Sequence, residues 1–214
     1  MQDSLRYKGM REELIKKLRN SGIKDEKVLN AFNKVPRHFF LDTTFAEQAY
    51  SDMAFQIGAG QTISHPYTVA FQTELLQLER GDKVLEIGTG SGFQTSILAE
   101  LGMKVFSIER HKELHLKAKN ILQLLKYKTQ LKFGDGFKGM PSYAPFDKVI
   151  ITCGAPFVPE ELINQLKVGG IMIIPLGEGA KQEMQKITKL SETETKIEKF
   201  GVFSFVPMLE DKVK

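Results

Sequence analysis

An apolar, strand-like segment followed at once by alternating glycines constrains the fold of this 214-residue chain more than any other feature. The segment Val84–Ile87 has the sequence VLEI, and GTGSG follows it with Gly88, Gly90 and Gly92. Glycines in this pattern let the backbone turn sharply and let a ligand touch the main chain. In open α/β sheets, ligands bind outside the carboxyl ends of the strands. The pattern therefore predicts a ligand-binding turn between a strand and a helix.

Apolar strands alternate with amphipathic helices after Gly81. The pattern predicts strands at 83–87, 104–108, 130–133, 148–152 and 171–175, and helices at 93–101, 111–125 and 159–166. Such alternation is typical of a parallel sheet covered on both faces. The segments 184–190 and 199–206 instead alternate in polarity around a polar turn, which predicts an antiparallel pair at the sheet edge. The expected fold class is α/β, with a mostly parallel sheet and an antiparallel C-terminal edge.

The first third of the chain is predicted to be mostly helical. Helices are expected from about residue 5 to Ser21-Gly22, from Asp25 to Pro36, at 45–50 and from His65 to Leu78. Residues 51–64 are expected to form a glycine-containing loop before the last of these helices. We therefore expect an N-terminal helical segment, 1–78, and a ligand-binding α/β domain, 79–214, that form one compact unit.

Composition limits the class of protein. The net charge of +4 is far below the concentrated basic charge of most nucleic-acid-binding proteins. The single cysteine, Cys153, cannot form an internal disulfide, which favours a reducing compartment. The N-terminal residues lack an apolar signal core, and no apolar run is long enough to span a bilayer. We expect a cytoplasmic monomer with neither nucleic acid nor membrane as a partner.

Three acidic residues are predicted at strand ends beside the glycine turn. Glu109 would accept hydrogen bonds from the two hydroxyls of a ribose, and Asp135 would hold an adenine amino group. Glu86 precedes the turn directly, where a carboxylate disfavours an anionic pyrophosphate and favours a cofactor with an ammonium and a sulfonium. The turn also has the spacing G-x-G-x-G, which suits a dinucleotide less well than G-x-G-x-x-G. These features favour S-adenosylmethionine as cofactor, although the same glycines could merely close a tight turn.

Ser64 is the main candidate on the opposite side of the cofactor. It is predicted at the N-cap of a helix in which Pro66 follows soon after. Its hydroxyl could serve only as that cap. Alternatively, the helix end and the hydroxyls of Thr62 and Ser64 could receive a carboxylate. Both interpretations stay open at this level.

The histidines and the cysteine are weaker candidates for a functional role. His38, His65, His111 and His115 have no partners at metal-ligand spacing, so we predict no metal site and expect solvated side chains. Of these, His65 is kept as a possible site residue because it adjoins Ser64. We expect Cys153 to be a small packing residue because no base is evident beside it.

These motifs, taken together, resemble one enzyme family. GAGQTIS, VLEIGTGSG, GDG, APFDKVIITCGAP, LKVGG and FVPM occur in the order seen in protein-L-isoaspartate (D-aspartate) O-methyltransferases, from about Asp25 to Leu209. The resemblance implies a Rossmann-like class I S-adenosylmethionine-dependent methyltransferase sheet with an N-terminal helical extension. It also implies a cytosolic repair enzyme whose partners are damaged proteins. Such an enzyme methylates the free carboxylate of L-isoaspartyl and D-aspartyl residues, and the ester then collapses to a succinimide that can reopen to aspartate.

The resemblance also implies roles for individual residues. Ser64 would be the active-site serine, on the substrate side formed by the loop 51–64. By the same resemblance, Thr62, Val206 and Pro207 would lie at the substrate, and Glu86, Gly88, Glu109, Asp135 and Gly136 would contact the cofactor. Ile63 and His65 are added as substrate-binding candidates because they flank Ser64, and Thr89, Gly90 and Gly92 are added as cofactor-binding candidates because they belong to the glycine turn. The chain departs from many bacterial members at Phe93, Phe133, Ser204 and Cys153-Gly154, and Ser204 bears on how the C-terminal segment holds substrate.

The expected chemistry is compatible with these residues. An isoaspartyl α-carboxyl with a pKa of about 3.5 is ionised at pH 7, so methyl transfer needs no general base. Alignment and desolvation would then be the work of the enzyme. Two alternatives remain at this level: a nicotinamide-dependent oxidoreductase on a similar sheet, and a non-catalytic cofactor-binding module.

Overall fold

The N-terminal third of the protein is helical, as predicted, in a computed structural model that describes residues 2–213. Its α-helices are α1 (Leu5–Asn20), α2 (Glu26–Lys34) and α3 (Pro66–Leu75). The carboxylate of Asp25 accepts a hydrogen bond from the Lys27 backbone N–H at 2.8 Å and so begins α2 at the predicted residue. Two 3₁₀ helices, Arg37–Phe40 and Thr43–Gln48, connect α2 to the following segment.

The segment 51–64 differs from the prediction, because most of it is a hairpin and not a loop. Strands β1 (Phe55–Gly58) and β2 (Gln61–Ile63) pair antiparallel, with Phe55 opposite Ile63. Both of these side chains are buried, which anchors the hairpin to the helices. The turn places Ala59 and Gly60 at φ values of 51° and 68°.

A seven-stranded sheet forms the rest of the fold. Its strands are β3 (Lys83–Ile87), β4 (Lys104–Glu109), β5 (Gln130–Phe133), β6 (Phe146–Ile151), β7 (Leu166–Leu176), β8 (Gln182–Lys189) and β9 (Thr195–Phe203). The order is β5-β4-β3-β6-β7-β8-β9, parallel from β5 to β7 and antiparallel from β7 to β9. The predicted α/β class, with its antiparallel C-terminal edge, is confirmed.

The helices α4 (Phe93–Glu100), α5 (Lys112–Leu124) and α6 (Glu160–Asn164) complete the fold. The start of β7 was predicted wrongly, because the strand begins at Leu166 and not at residue 171. Gly169 and Gly170 lie inside this strand and do not close α6. The reason is an irregular register between β6 and β7, in which Phe146 pairs with Leu166 and Lys148 pairs with Ile171. Other boundaries differ as well: β6 begins at Phe146 and not at 148, and β9 begins at Thr195 and not at 199.

Aromatic packing joins the N-terminal helices to the sheet domain. Phe93, the first residue of α4, meets the rings of Phe32 and Phe40 edge-on, at centroid distances of 5.6 Å and 5.5 Å. These side chains belong to one buried cluster with Leu14 and Leu18 of α1. The boundary between residues 78 and 79 stays a prediction. Among the described residues, none of the helices combines the length and apolar character required to cross a bilayer.

We expect Phe32→Ala to lower the free energy of unfolding by about 3–5 kcal/mol, because it removes a side chain that is 2% exposed and leaves a cavity against Phe93. Chemical denaturation followed by circular dichroism measures the change. The control is Leu5→Ala, since Leu5 is 85% exposed and its truncation should change stability little. If the N-terminal helices of the variant unfolded in a separate transition at lower denaturant, while the sheet unfolded as in the wild type, the two parts would not share one core.

Candidate functional site

Two small adjoining cavities, of about 60 Å³ and 50 Å³, lie at the carboxyl end of β3. The first cavity is lined by eight of the predicted site residues: Thr62, Ile63, Ser64, Gly88, Thr89, Gly90, Glu109 and Val206. The second cavity shares Gly88 and Glu109 with the first and adds Gly136 and Pro207. Four predicted site residues of the described chain line neither cavity: His65, Glu86, Gly92 and Asp135.

Gly88 shows why the turn after β3 requires glycine. Its φ of +95° lies in the left-handed region, and a Cβ atom there would stand 2.6 Å from Thr152 Oγ1. That hydroxyl donates a hydrogen bond to the Gly88 carbonyl at 2.6 Å. The Gly88 N–H in turn donates to the Ile108 carbonyl of β4 at 2.9 Å. The turn is therefore held between the two neighbouring strands, with its main chain facing both cavities.

Glu109 holds the same turn through its carboxylate. One oxygen accepts from the Gly90 backbone N–H at 2.8 Å and the other from the His111 backbone N–H at 2.9 Å. Its side chain is buried and lines both cavities. Each carboxylate oxygen has a further lone pair, so the predicted bonds to ribose hydroxyls are still compatible with this arrangement.

Glu86 is fully buried beneath the turn. Thr95 Oγ1 of α4 donates a hydrogen bond to its Oε2 at 2.5 Å, whereas its Oε1 has no partner among the described residues. Burial raises the pKa of Glu86 to about 7. Because Glu86 lines neither cavity, its predicted contact with the cofactor stays a prediction.

Asp135 and Gly136 have different surroundings. The Asp135 carboxylate accepts from the Phe137 backbone N–H at 2.9 Å and begins a 3₁₀ helix there. Gly136 lines the second cavity, and a Cβ atom on it would collide with Ile87. Gly92 is the N-cap residue of α4 and packs against α5, where a Cβ atom on it would contact Ala118 and Leu122.

Ser64 does not cap α3, so that part of the prediction is wrong. The helix begins at Pro66, and its N-cap residue is His65, which makes no side-chain capping bond. The residue before a proline favours an extended backbone, and His65 has a ψ of 139°. Ser64 therefore precedes the cap and lines the first cavity with Thr62. His65 itself is exposed.

Arg37 positions the Ser64 backbone and was missed in the sequence. Its side chain is fully buried, and its Nη2 donates to the carbonyls of Ser64 at 2.9 Å and Met53 at 3.1 Å. Its Nε donates to the Ala49 carbonyl at 2.9 Å. The guanidinium also lies 4.8 Å from the centre of the Phe93 ring. The only signal in the sequence was a charged residue within the apolar run VPRHFF.

Two buried glutamines in the first cavity were also missed. Gln72 of α3 donates through Nε2 to the Ile151 carbonyl at 2.9 Å. Gln94 of α4 donates through Nε2 to Thr73 Oγ1 at 3.0 Å. Both lie among buried residues that include threonine or serine, so the sequence pattern did not single them out. Gln61, from the hairpin, lines both cavities.

The predicted solvation of His38 is wrong. Its ring is fully buried, its Nδ1 lies 2.7 Å from the Tyr50 hydroxyl, and it stacks on Tyr7 at 3.9 Å. Cys153 lines both cavities, and burial raises the pKa of its thiol to about 12, which disfavours a nucleophilic thiolate. Across residues 2–213, the structure places no three His, Cys, Asp or Glu residues where they could hold a metal ion.

Comparisons with known proteins agree along nearly the whole chain. The family model described as Protein-L-isoaspartate(D-aspartate) O-methyltransferase (PCMT) matches residues 9–213. The chain is 54% identical to a protein-L-isoaspartate O-methyltransferase of Christiangramia forsetii over 213 residues, which cover 99% of this chain and 100% of the relative. It is 55% identical to the protein of the same name from Cytophaga hutchinsonii over 209 residues, which cover 98% and 95%.

Solved structures agree with this family. One titled protein-L-isoaspartate O-methyltransferase is 27% identical, with a TM-score of 0.84 over 92% of this chain and 65% of that one. A second, a putative enzyme of the same name from Plasmodium falciparum in complex with S-adenosyl-L-homocysteine, has a TM-score of 0.82 over 94% and 99%. At 24% identity, this second likeness shows the fold alone. The comparisons do not support the alternatives of a nicotinamide-dependent oxidoreductase or a non-catalytic module.

The buried carboxyl of Glu86 predicts a dependence of stability on pH. Above its folded-state pKa of about 7, the native protein buries a charge that the unfolded chain exposes to water. Below the ordinary pKa of 4.5, the side chain is protonated in both states. Between these limits the native state binds more protons, so stability falls as pH rises. We therefore expect Glu86→Gln to stabilise the protein more at pH 8 than at pH 5, by roughly 3 kcal/mol at most.

Urea denaturation at the two pH values measures this difference. The control is Glu12→Gln, which replaces an exposed glutamate of α1 and should have the same small effect at both pH values. If Glu86→Gln also has equal effects at pH 5 and pH 8, the raised pKa is excluded.

Proposed function

Since the chain belongs to the protein-L-isoaspartate (D-aspartate) O-methyltransferase family, we propose how its own residues bring cofactor and substrate together. The family uses S-adenosylmethionine to methylate the free carboxylate of isoaspartyl residues in damaged proteins. The observation that carries the proposal is the first cavity, where Ser64 and the turn residues Gly88, Thr89 and Gly90 line one space. The substrate side of the molecule thus adjoins the cofactor turn directly.

The cofactor side consists of the turn after β3 and its neighbours. Its residues fit S-adenosylmethionine, because Gly88, Thr89 and Gly90 expose main chain to the cavity and a buried carboxylate, Glu109, adjoins them. When bound, the cofactor supplies a methyl group on a sulfonium for displacement by the substrate carboxylate. The second cavity, with Glu109 and Gly136, is suited to its nucleoside. Three more predicted residues would support this side without lining a cavity. Glu86 lies beneath the turn, Gly92 at the start of α4 and Asp135 after the end of β5.

The substrate side consists of the hairpin and the C-terminal segment. Ser64 and Thr62 offer hydroxyl groups that donate hydrogen bonds to the isoaspartyl carboxylate, while Ile63 supports them from the core. Val206 and Pro207 border the two cavities and would contact the substrate backbone. His65 is exposed beside Ser64 and would meet the peptide outside the cavity.

No general base is needed at this site. The substrate carboxylate is ionised at pH 7, so no proton has to be removed before it reacts. The Ser64 and Thr62 hydroxyls would fix the direction of the carboxylate, and the small cavity would exclude water around it. Catalysis would therefore depend on alignment of the carboxylate with the methyl group. Cys153 would line the cavity as a protonated thiol and take no part in the reaction.

We also propose that the enzyme works as a monomer in the cytoplasm, on damaged proteins, without nucleic acid or membrane as partner. The modest net charge of +4 and the single cysteine support this proposal. Light scattering after size-exclusion chromatography should give the mass of one chain, and a dimer mass at micromolar concentration would contradict the monomer.

The substrate assignment is tested with paired peptides that contain aspartate or isoaspartate at one position. With labelled S-adenosylmethionine, only the isoaspartyl peptide should be methylated, because only it has a free α-carboxylate in the position of the side chain. Equal labelling of both peptides, or none with protein that binds S-adenosylhomocysteine, would disprove the assignment.

Ser64→Ala should lower kcat for the isoaspartyl peptide by about 100-fold, because the carboxylate loses the donor that aligns it. Its affinity for S-adenosylhomocysteine, measured by calorimetry, should stay near the wild-type value. The matched control is Ser142→Ala, at an exposed serine that lines neither cavity, and it should keep full activity. Full activity in Ser64→Ala would remove this residue from the mechanism.

A further inference from the structure

A short hydrogen-bonded chain fixes the orientation of the buried Gln94 carboxamide. Thr73 Oγ1 donates its only hydrogen to the Val69 carbonyl at 2.7 Å. The same oxygen lies 3.0 Å from Gln94 Nε2 and can therefore only accept there. The amide nitrogen of Gln94 must therefore point at Thr73, and the amide oxygen Oε1 must point away from Thr73.

That Oε1 has no hydrogen-bond partner among the described residues. Gln94 is 6% exposed, so water compensates little for the missing bond. A buried acceptor without a donor is unfavourable, and such atoms in native proteins call for an explanation. Gln94 also lines the first cavity together with Ser64, Gly88 and Gly90. A ligand in this cavity, which Gln94 borders, could supply the donor that Oε1 lacks.

We infer that Gln94 is a further cofactor-binding residue, whose Oε1 accepts a hydrogen bond from the α-ammonium group of S-adenosylmethionine. The inference rests on the proposed placement of the cofactor. A carboxamide oxygen requires a donor, which neither the substrate carboxylate nor the sulfonium provides. The adenine amino group belongs to the second cavity, which Gln94 does not line. Gln94 follows Gly92 of the glycine turn by two residues, and it lines the first cavity together with Gly88 and Gly90.

The neighbouring carboxylate supports the need for this acceptor. One oxygen of Glu109 accepts from the Gly90 N–H of the turn and the other from the His111 N–H, and their remaining lone pairs are assigned to the ribose hydroxyls. The Glu86 carboxylate lines neither cavity. A neutral acceptor with one free oxygen, held by Thr73 before the ligand arrives, would orient the ammonium without rearrangement.

The test compares two ligands that differ by the amino-acid end. S-adenosylhomocysteine carries the α-ammonium, whereas 5′-methylthioadenosine lacks it. By calorimetry, Gln94→Met should raise the Kd of S-adenosylhomocysteine about tenfold or more and leave that of methylthioadenosine unchanged. Unchanged binding of S-adenosylhomocysteine, or equal weakening of both ligands, would overturn the inference. A change confined to the KM of the isoaspartyl peptide would also overturn it and assign the acceptor to a peptide N–H.

Two further variants separate the contact from a structural role. Gln94→Glu loses the same bond to Thr73 as Gln94→Met but keeps an acceptor oxygen, so it should bind S-adenosylhomocysteine within a few-fold of wild type. Equal losses in the Met and Glu variants would overturn the contact. Gln123→Met, at an exposed position of α5, controls for the replacement itself. Binding of S-adenosylhomocysteine needs no peptide. A wild-type protein that binds this ligand but does not methylate isoaspartyl peptides would therefore disprove the proposed function and leave the inference about Gln94 open to its own test.

Discussion

A single buried guanidinium connects the segments on which the site depends. Arg37 donates to the backbone carbonyls of Ala49, Met53 and Ser64 and lies over the ring of Phe93. A charge buried this deeply is tolerated only when several acceptors compensate for its lost hydration. Because these acceptors come from different segments, the segments cannot shift independently. The position of Ser64 is therefore set by packing within the N-terminal core.

Much of the sheet could be predicted from the sequence, because its central strands contain apolar runs, its C-terminal strands alternate in polarity, and glycine or polar turns separate them. The predicted ends of β3 and β5 coincide with the observed ones. The hairpin at 55–63 could not be predicted in this way. Its strands are only four and three residues long, and its turn places an alanine, Ala59, at a φ of 51°, which the sequence gives no reason to expect.

The site was predictable where its chemistry is local in sequence and less so where it depends on packing. The turn at Gly88 and the hydroxyl of Ser64 belong to short motifs, and the structure places both at one cavity. The direction of a side chain at a strand end depends on the strand register, and so the complete burial of Glu86 was not foreseen. Arg37 and Gln94 gain their partners only through contacts between distant segments, which no spacing rule describes.

The hairpin has a consequence for how such an enzyme can diverge. In the described part of the chain, β1 and β2 pair only with each other, while the cofactor turn belongs to the seven-stranded sheet. Substitutions at the exposed tip of the hairpin therefore leave the hydrogen-bond register of the large sheet untouched. The hairpin tip can thus change in sequence while the turn after β3 keeps its hydrogen bonds, provided that the buried contacts of Arg37 are kept.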